Sequence, residues 1–322
     1  MLFLFRIFAS KMSIKPSTLI VYVKGVAMGI ADLVPGVSGG TIALITNIYE
    51  ELISSINRVT VREIVLLFGA NRKKSWQNIN GPFLLPLFLG IVTSILFLSS
   101  VIQFLLENHS LALWSFFFGL ILASSLLICK DIKHWSTTTI VGMILGGITS
   151  FIIGFLTPVE ATQALPYLFL CGMFMIVAMV LPGISGAFIL ILLGAYDTAL
   201  STVEMVRSFQ IQGLINLVAF GLGAIIGIKL FAHWVERLFI RSRNTLLATM
   251  SGFMLGSLYK VWPWTKAVTN QAVDRSFALP HISPSNADFW IGIVFITLGI
   301  SIIFVFHKLR KKTHERASEK PL

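Results

Sequence analysis

The chain has 322 residues, 56% of them hydrophobic and 12% charged, with a mean hydropathy of +0.86. Soluble domains carry about 25% charged residues, so this composition points away from a water-soluble core. The formal net charge is +11, yet much of it gathers in the C-terminal run Lys308, Arg310, Lys311, Lys312, Arg316 and Lys320, which reads as a solvated cytoplasmic tail and not as a nucleic-acid surface.

Residues 1–16 hold a short apolar patch cut by Arg6 and Lys11 and lack a small-residue cleavage site, so they are expected on the cytoplasmic surface. Apolar segments follow at 17–34, 38–56, 83–106, 111–129, 137–157, 164–181, 185–203, 213–239, 243–261 and 289–307. Each approaches the ~20 residues that cross hydrocarbon. The first two, and the sixth and seventh, are separated by Pro-Gly breaks at 35–40 and 182–187. The cysteines, Cys129 and Cys171, both lie in apolar segments and suggest neither a disulfide framework nor a zinc site.

The two breaks are copies. Ala31-Asp-Leu-Val-Pro-Gly-Val-Ser-Gly-Gly40 aligns without a gap on Ala178-Met-Val-Leu-Pro-Gly-Ile-Ser-Gly-Ala187 at an offset of 147, which also pairs Gly25 with Gly172, Tyr49 with Tyr196 and Glu50 with Asp197. After a length change of about 14 residues, Phe118-Gly-Leu-Ile-Leu-Ala-Ser124 aligns on Ser251-Gly-Phe-Met-Leu-Gly-Ser257. The chain therefore divides into an N-terminal segment 1–16, repeat one at 17–158, repeat two at 159–307 and the basic tail 308–322.

If each break is a re-entrant hairpin followed by about three full spans, the basic loops at 57–80 (Arg58, Arg62, Arg72, Lys73, Lys74), 130–134 (Lys130, Lys133) and 241–243 (Arg241, Arg243) share a side with the tail. The turns at Glu107 and Glu160 fall opposite, as does the loop 262–288 with Lys266 and Arg275. An odd number of crossings per copy makes the fold an all-α polytopic membrane protein of two inverted-topology repeats, a plan used by secondary transporters. Two full spans per Pro-Gly pair would give the same parity, so charge leaves re-entry open.

Proline removes a donor and disfavours helix before it, while glycine permits turns closed to other residues. Such broken backbone is tolerated at membrane depth only where protein or a wet cavity surrounds it. The arms starting at Ser38 and Ser185 would aim free amides, a positive dipole end and a hydroxyl at the turn, which is the physics of an anion site. Charges inside apolar segments are the second signal: Lys24 and Asp32 bracket the first arm, and Lys229, His233 and Glu236 lie at helical spacing along one stripe. Gly142/Gly146, Gly223/Gly227 and Gly252/Gly256 read as close helix packing.

Gly29-Ile-Ala-Asp-Leu-Val-Pro-Gly-Val-Ser-Gly-Gly-Thr41, with Leu181-Pro-Gly-Ile-Ser-Gly186 and Tyr196-Asp197, resembles the DUF368 family of bacterial membrane proteins, identified as polyprenyl-phosphate transporters of the PopT type. The resemblance implies a multi-pass protein of the cytoplasmic membrane that moves undecaprenyl phosphate for recycling in cell-envelope polymer synthesis; the charge pattern itself is what puts both termini on the cytoplasmic side. The resemblance implies no enzyme activity, cofactor or nucleic acid, and leaves a homo-oligomer open. Ser38, Gly39, Gly40, Thr41, Ser185 and Gly186 would then cradle the phosphate, with Pro35, Gly36, Pro182 and Gly183 forming the turns and Lys24 or an arginine neutralising it. Asp32, Glu50 or Asp197 would carry a coupling H+ or Na+, with Tyr49, Tyr196, Lys229, His233 and Glu236 as further coupling or gating candidates. Copy two replaces Asp32 by Met179 and Thr41 by Phe188, so the turns are not chemically equivalent. The alternatives are a carrier of a small soluble anion and a polyprenyl-pyrophosphate phosphatase; for the latter, Gly39 and Gly186 stand where that chemistry wants an arginine after the serine.

Overall fold

Apolar stretches become helices because a backbone in hydrocarbon must satisfy its own hydrogen bonds. The computed structural model describes residues 16–34, 36–159, 162, 164–267, 275–277 and 287–318. Repeat one comprises α1 (Pro16–Leu33), α2 (Gly39–Ile45), α3 (Tyr49–Arg58), α4 (Val61–Leu67), α5 (Arg72–Asn78), α6 (Gly81–Asn108), α7 (Ser110–Lys130) and α8 (Thr137–Ile153). Repeat two comprises α9 (Leu165–Val180), α10 (Gly186–Leu192), α11 (Tyr196–Arg207), α12 (Ile211–Ser257) and α13 (Ala287–Ser318). Residues 1–15, Pro35, Glu160 and Lys320 lie outside the described residues.

Four helices, α6, α7, α12 and α13 as far as Val305, are long and apolar enough to cross a membrane, or up to five if the bent pair α10 and α11 is one span. Helices α8 and α9 are apolar but shorter. The chain is a polytopic membrane protein. Three details depart from the sequence reading. The second arms 38–56 and 185–203 are not continuous, since each ends after seven residues and turns, α10 meeting α11 at 108°. Between α12 and α13 an antiparallel ribbon, β1 (Thr265–Ala267) with β2 (Arg275–Phe277), interrupts the all-α pattern. Helix α13 runs through Lys308 to Ser318, so the basic run extends a helix. The expected 241–243 turn appears as a break inside α12 at Ser242 (φ −148, ψ 54).

The repeat is legible in the backbone. Gly36 and Gly183 have φ of +84 and +86, and Asn47 and Gly194, again at the 147 offset, have +55 and +60. Ile48 N–H donates to Ala43 O as Ala195 N–H does to Leu190 O. Packing repeats as well. A Cβ on Gly25 would stand 2.2 Å from Leu87 O, and one on Gly172 would stand 2.2 Å from Phe220 O, so α1 meets α6 as α9 meets α12. The last helices are exchanged between copies. Gly119 of α7 lies against Ile296 of α13, and its counterpart Gly252 of α12 lies against Met143 of α8, with 2.2 and 2.1 Å to a Cβ.

Two compact units result. One gathers the described residues within Met1–Ile102, Thr157–Leu181 and Ser185–Arg241; the other gathers those within Gln103–Leu156, Pro182–Ile184 and Ser242–Leu322. The first thus holds α1 to α5, most of α6, α9 to α11 and the first part of α12, and the second holds α7, α8, the last part of α12 and α13.

Candidate functional site

Glycine at position 36 supplies the positive φ that reverses the chain, and Ser38 follows in extended conformation as the N-cap of α2. Its Oγ accepts from Gly40 N–H at 3.1 Å. The same hydroxyl lies 2.8 Å from Met179 O and 3.0 Å from Leu181 O, to which it can donate, at the end of α9. Gly39 N–H donates to Asp32 Oδ1 at 2.7 Å, and Thr41 N–H to Ser38 O at 3.0 Å. The amides read from the sequence as free therefore have partners, and the anion at this helix end is the protein's own Asp32. A Cβ on Gly40 would stand 2.1 Å from Val180 O, so glycine lets the two hairpins touch.

The second turn is built on the same backbone with different chemistry. Ser185 is extended (φ −89, ψ 130), 3% exposed, and makes no side-chain cap bond at the start of α10. Met179 occupies the place of Asp32, so no carboxylate faces Gly186, whose Cβ would instead stand 2.8 Å from Met175 O. Within the other unit, Pro182 and Gly183 are buried, with Gly183 packed on the Phe253 carbonyl.

Lys24 and Lys229 each close a helix end. Lys24 Nζ donates to Thr46 O at 2.8 Å, where α2 finishes. In copy two that position is Cys171, and the equivalent carbonyl, Leu193 O, accepts the Tyr167 hydroxyl at 2.5 Å. Lys24 and Asp32 are thus engaged separately. Lys229 Nζ donates to Ile56 O at 2.6 Å and Asn57 O at 3.1 Å, placing a cation on the negative end of α3. Asn57 Nδ2 donates to Glu236 Oε2 at 2.6 Å.

Beside this junction is a cavity of about 510 Å³ lined by Glu50, Glu51, Ser54, Arg58, Asn80 and Glu236 with the apolar Ile53, Phe239 and Ile240. Asn80 Nδ2 bridges Glu51 Oε1 (3.1 Å) and Ser55 Oγ (2.9 Å). The structure brings Glu50 and Glu236 to one cavity, while His233, Tyr196 and Asp197 are exposed. Tyr49 is 1% exposed, packs on Phe239, and its hydroxyl has no hydrogen-bond partner among the described residues. Among the described residues no group of three or more His, Cys, Asp or Glu could hold a metal ion. Sequence reading missed Asn57 and Asn80, since neither recurs in copy two; the positive φ of Asn80 (56°) belongs to a turn that only the fold reveals.

The undecaprenyl phosphate translocase-like family (VCA0040-like) matches residues 28–277, a stretch that contains both breaks. The chain belongs to this family. The resemblance drawn from the first break is borne out by this match. Among its relatives, a polyprenyl-phosphate transporter of Vibrio cholerae is 40% identical over 248 residues, covering 77% of this chain and 79% of the relative. A polyprenyl-phosphate transporter of Staphylococcus aureus is 33% identical over 252 residues, covering 74% and 84%. These names describe transporters and not enzymes. No solved structure matches the chain.

Proposed function

We propose that the chain carries polyprenyl phosphate, and specifically undecaprenyl phosphate, across the bacterial cytoplasmic membrane, returning the spent lipid carrier for cell-envelope polymer synthesis. The observation that carries this reading is the meeting of the hairpins, Ser38 bonded to the end of α9, in a member of a family named for this lipid.

The two copies are inverted in the membrane, and α2 and α10 are the inner arms of re-entrant hairpins. Seven residues rise about 10 Å, a third of the ~30 Å hydrocarbon thickness, which supports arms that turn back. Ser185 and Gly186 receive the phosphate first, because their turn has no carboxylate of its own. On the other turn, Asp32 holds Gly39 N–H until a proton or the arriving phosphate displaces it; Ser38, Gly40 and Thr41 then complete the cradle. Lys24 lies one helix end away as the neutralising cation, and the prenyl tail stays in the lipid against apolar helix faces. Coupling to H+ or Na+ runs through Asp32 and through the cavity holding Glu50 and Glu236. Rocking of the hairpins alternates access.

Liposomes containing the protein and labelled polyprenyl phosphate test this reading. The expected result is lipid movement driven by an imposed proton or sodium gradient, and at least a tenfold loss of lipid-phosphate binding in Ser185→Ala. No movement under any gradient, or equal binding of tail-free phosphate, overturns it.

A further inference from the structure

The copies differ between the broken arm and the first long helix. Copy two passes from α11 to α12 through residues 208–210, whereas copy one inserts α4 and α5 between Arg58 and Gly81. On α4, Val61, Ile64, Val65 and Phe68 stand at i, i+3, i+4 and i+7, which makes one apolar helix face. That face points away from the protein, with exposures of 79, 44, 65 and 90%.

The outward face is held in place by the inward one. The Thr60 hydroxyl caps α4 by accepting from Glu63 N–H at 3.3 Å. Ser75 Oγ lies 2.6 Å from Glu63 O and 2.5 Å from its Oε2, and Asn78 Nδ2 donates to Oε1 at 3.3 Å. Glu63 is the only acidic residue in 59–80 and is engaged by this latch, while Arg62, Arg72, Lys73 and Lys74 are exposed and outnumber it four to one. The chain then enters its first long apolar span at Gly81, against which the Trp76 ring is packed; tryptophan is a residue of membrane interfaces.

We infer that α4 and α5 form an in-plane anchor whose apolar face enters the headgroup region of the bilayer and whose basic residues take anionic phospholipid head groups. Apolar and basic residues in one short helical segment abutting a span are the requirements of an interfacial amphipathic element. A second copy fits less well, because a two-fold contact through this face would set the same four cations against themselves. Asn80, at the exit of the anchor, bonds Glu51 and Ser55, so the anchored segment is tied to the cavity rim.

The test places a photo-crosslinking benzoylphenylalanine at Phe68 of the full chain, in bilayers of phosphatidylcholine with and without phosphatidylglycerol. Expected are lipid adducts, with phosphatidylglycerol enriched over its bulk fraction, and an enrichment that falls about fivefold with each of Arg72→Gln, Lys73→Gln and Lys74→Gln. These side chains are exposed, so the variants keep the fold, and a melting curve checks it. Adducts to a second copy or to another protein, no lipid adduct, or enrichment indifferent to the three charges overturns the inference.

Discussion

Ser38 and Ser185 are equivalent in sequence and backbone, yet alanine should affect them unequally. Ser38→Ala removes the acceptor of Gly40 N–H and the donor to the Met179 and Leu181 carbonyls, all in a buried junction. Loss of an N-cap costs about 1 kcal/mol and loss of the buried donor about another, so about 2 kcal/mol is expected. Ser185 makes no cap bond, and its alanine variant should cost about 0.5 kcal/mol or less. At roughly 2–4 °C per kcal/mol for a large domain, the apparent melting temperature in nanodiscs should fall by about 4–8 °C for Ser38→Ala and by about 2 °C or less for Ser185→Ala. Hydrogen exchange at Gly40 should rise in the first variant alone. Equal shifts, or a stable Ser38→Ala, would refute the assignment of Ser38 as the tie between hairpins.

Lys229→Met leaves the Ile56 and Asn57 carbonyls without their cation and should cost about 2 kcal/mol, with Lys229→Arg recovering part of it in the same melting assay. Gly25→Ala and Gly172→Ala each set a Cβ 2.2 Å from a backbone oxygen and should destabilise by about 1–3 kcal/mol. Gly221→Ala meets nothing within 4 Å and should be neutral or stabilise by about 0.5–1 kcal/mol, an internal control for helix propensity. Glu236→Gln can still accept from Asn57, so the protein should melt normally while gradient-driven transport in liposomes drops; unchanged gradient dependence would remove Glu236 from coupling.

The repeat was legible from one ungapped alignment because the turn residues that need positive φ or close approach are constrained by backbone geometry, and geometry recurs: Gly36 with Gly183, Gly25 with Gly172. Glycine pairs assigned to close packing, such as Gly252 and Gly256, do lie against the backbone of α8. The early stop of the second arm was hidden in copy two because the apolar run continues across Leu193-Gly194, and a bend needs only one positive φ; in copy one the polar Thr46-Asn47 pair marks the same bend. Partners of polar groups were less accessible. Spacing put Lys229, His233 and Glu236 on one stripe, but which of them meets α3 depends on tertiary packing that no local pattern encodes. The fate of the Ser38 hydroxyl was hidden for the same reason, since its acceptors lie in the other copy.

The exchange of last helices bears on how the protein is made. As the chain leaves the ribosome, α7 is inserted long before α13 exists, so Gly119 faces lipid until Ile296 arrives, while α8 must wait for α12. Neither copy completes its packing alone, and contacts this distant in sequence form slowly. Expressed as separate halves, the chain should mature only when both are synthesised together, and truncation before α13 leaves α7 as an unpaired segment for membrane quality control.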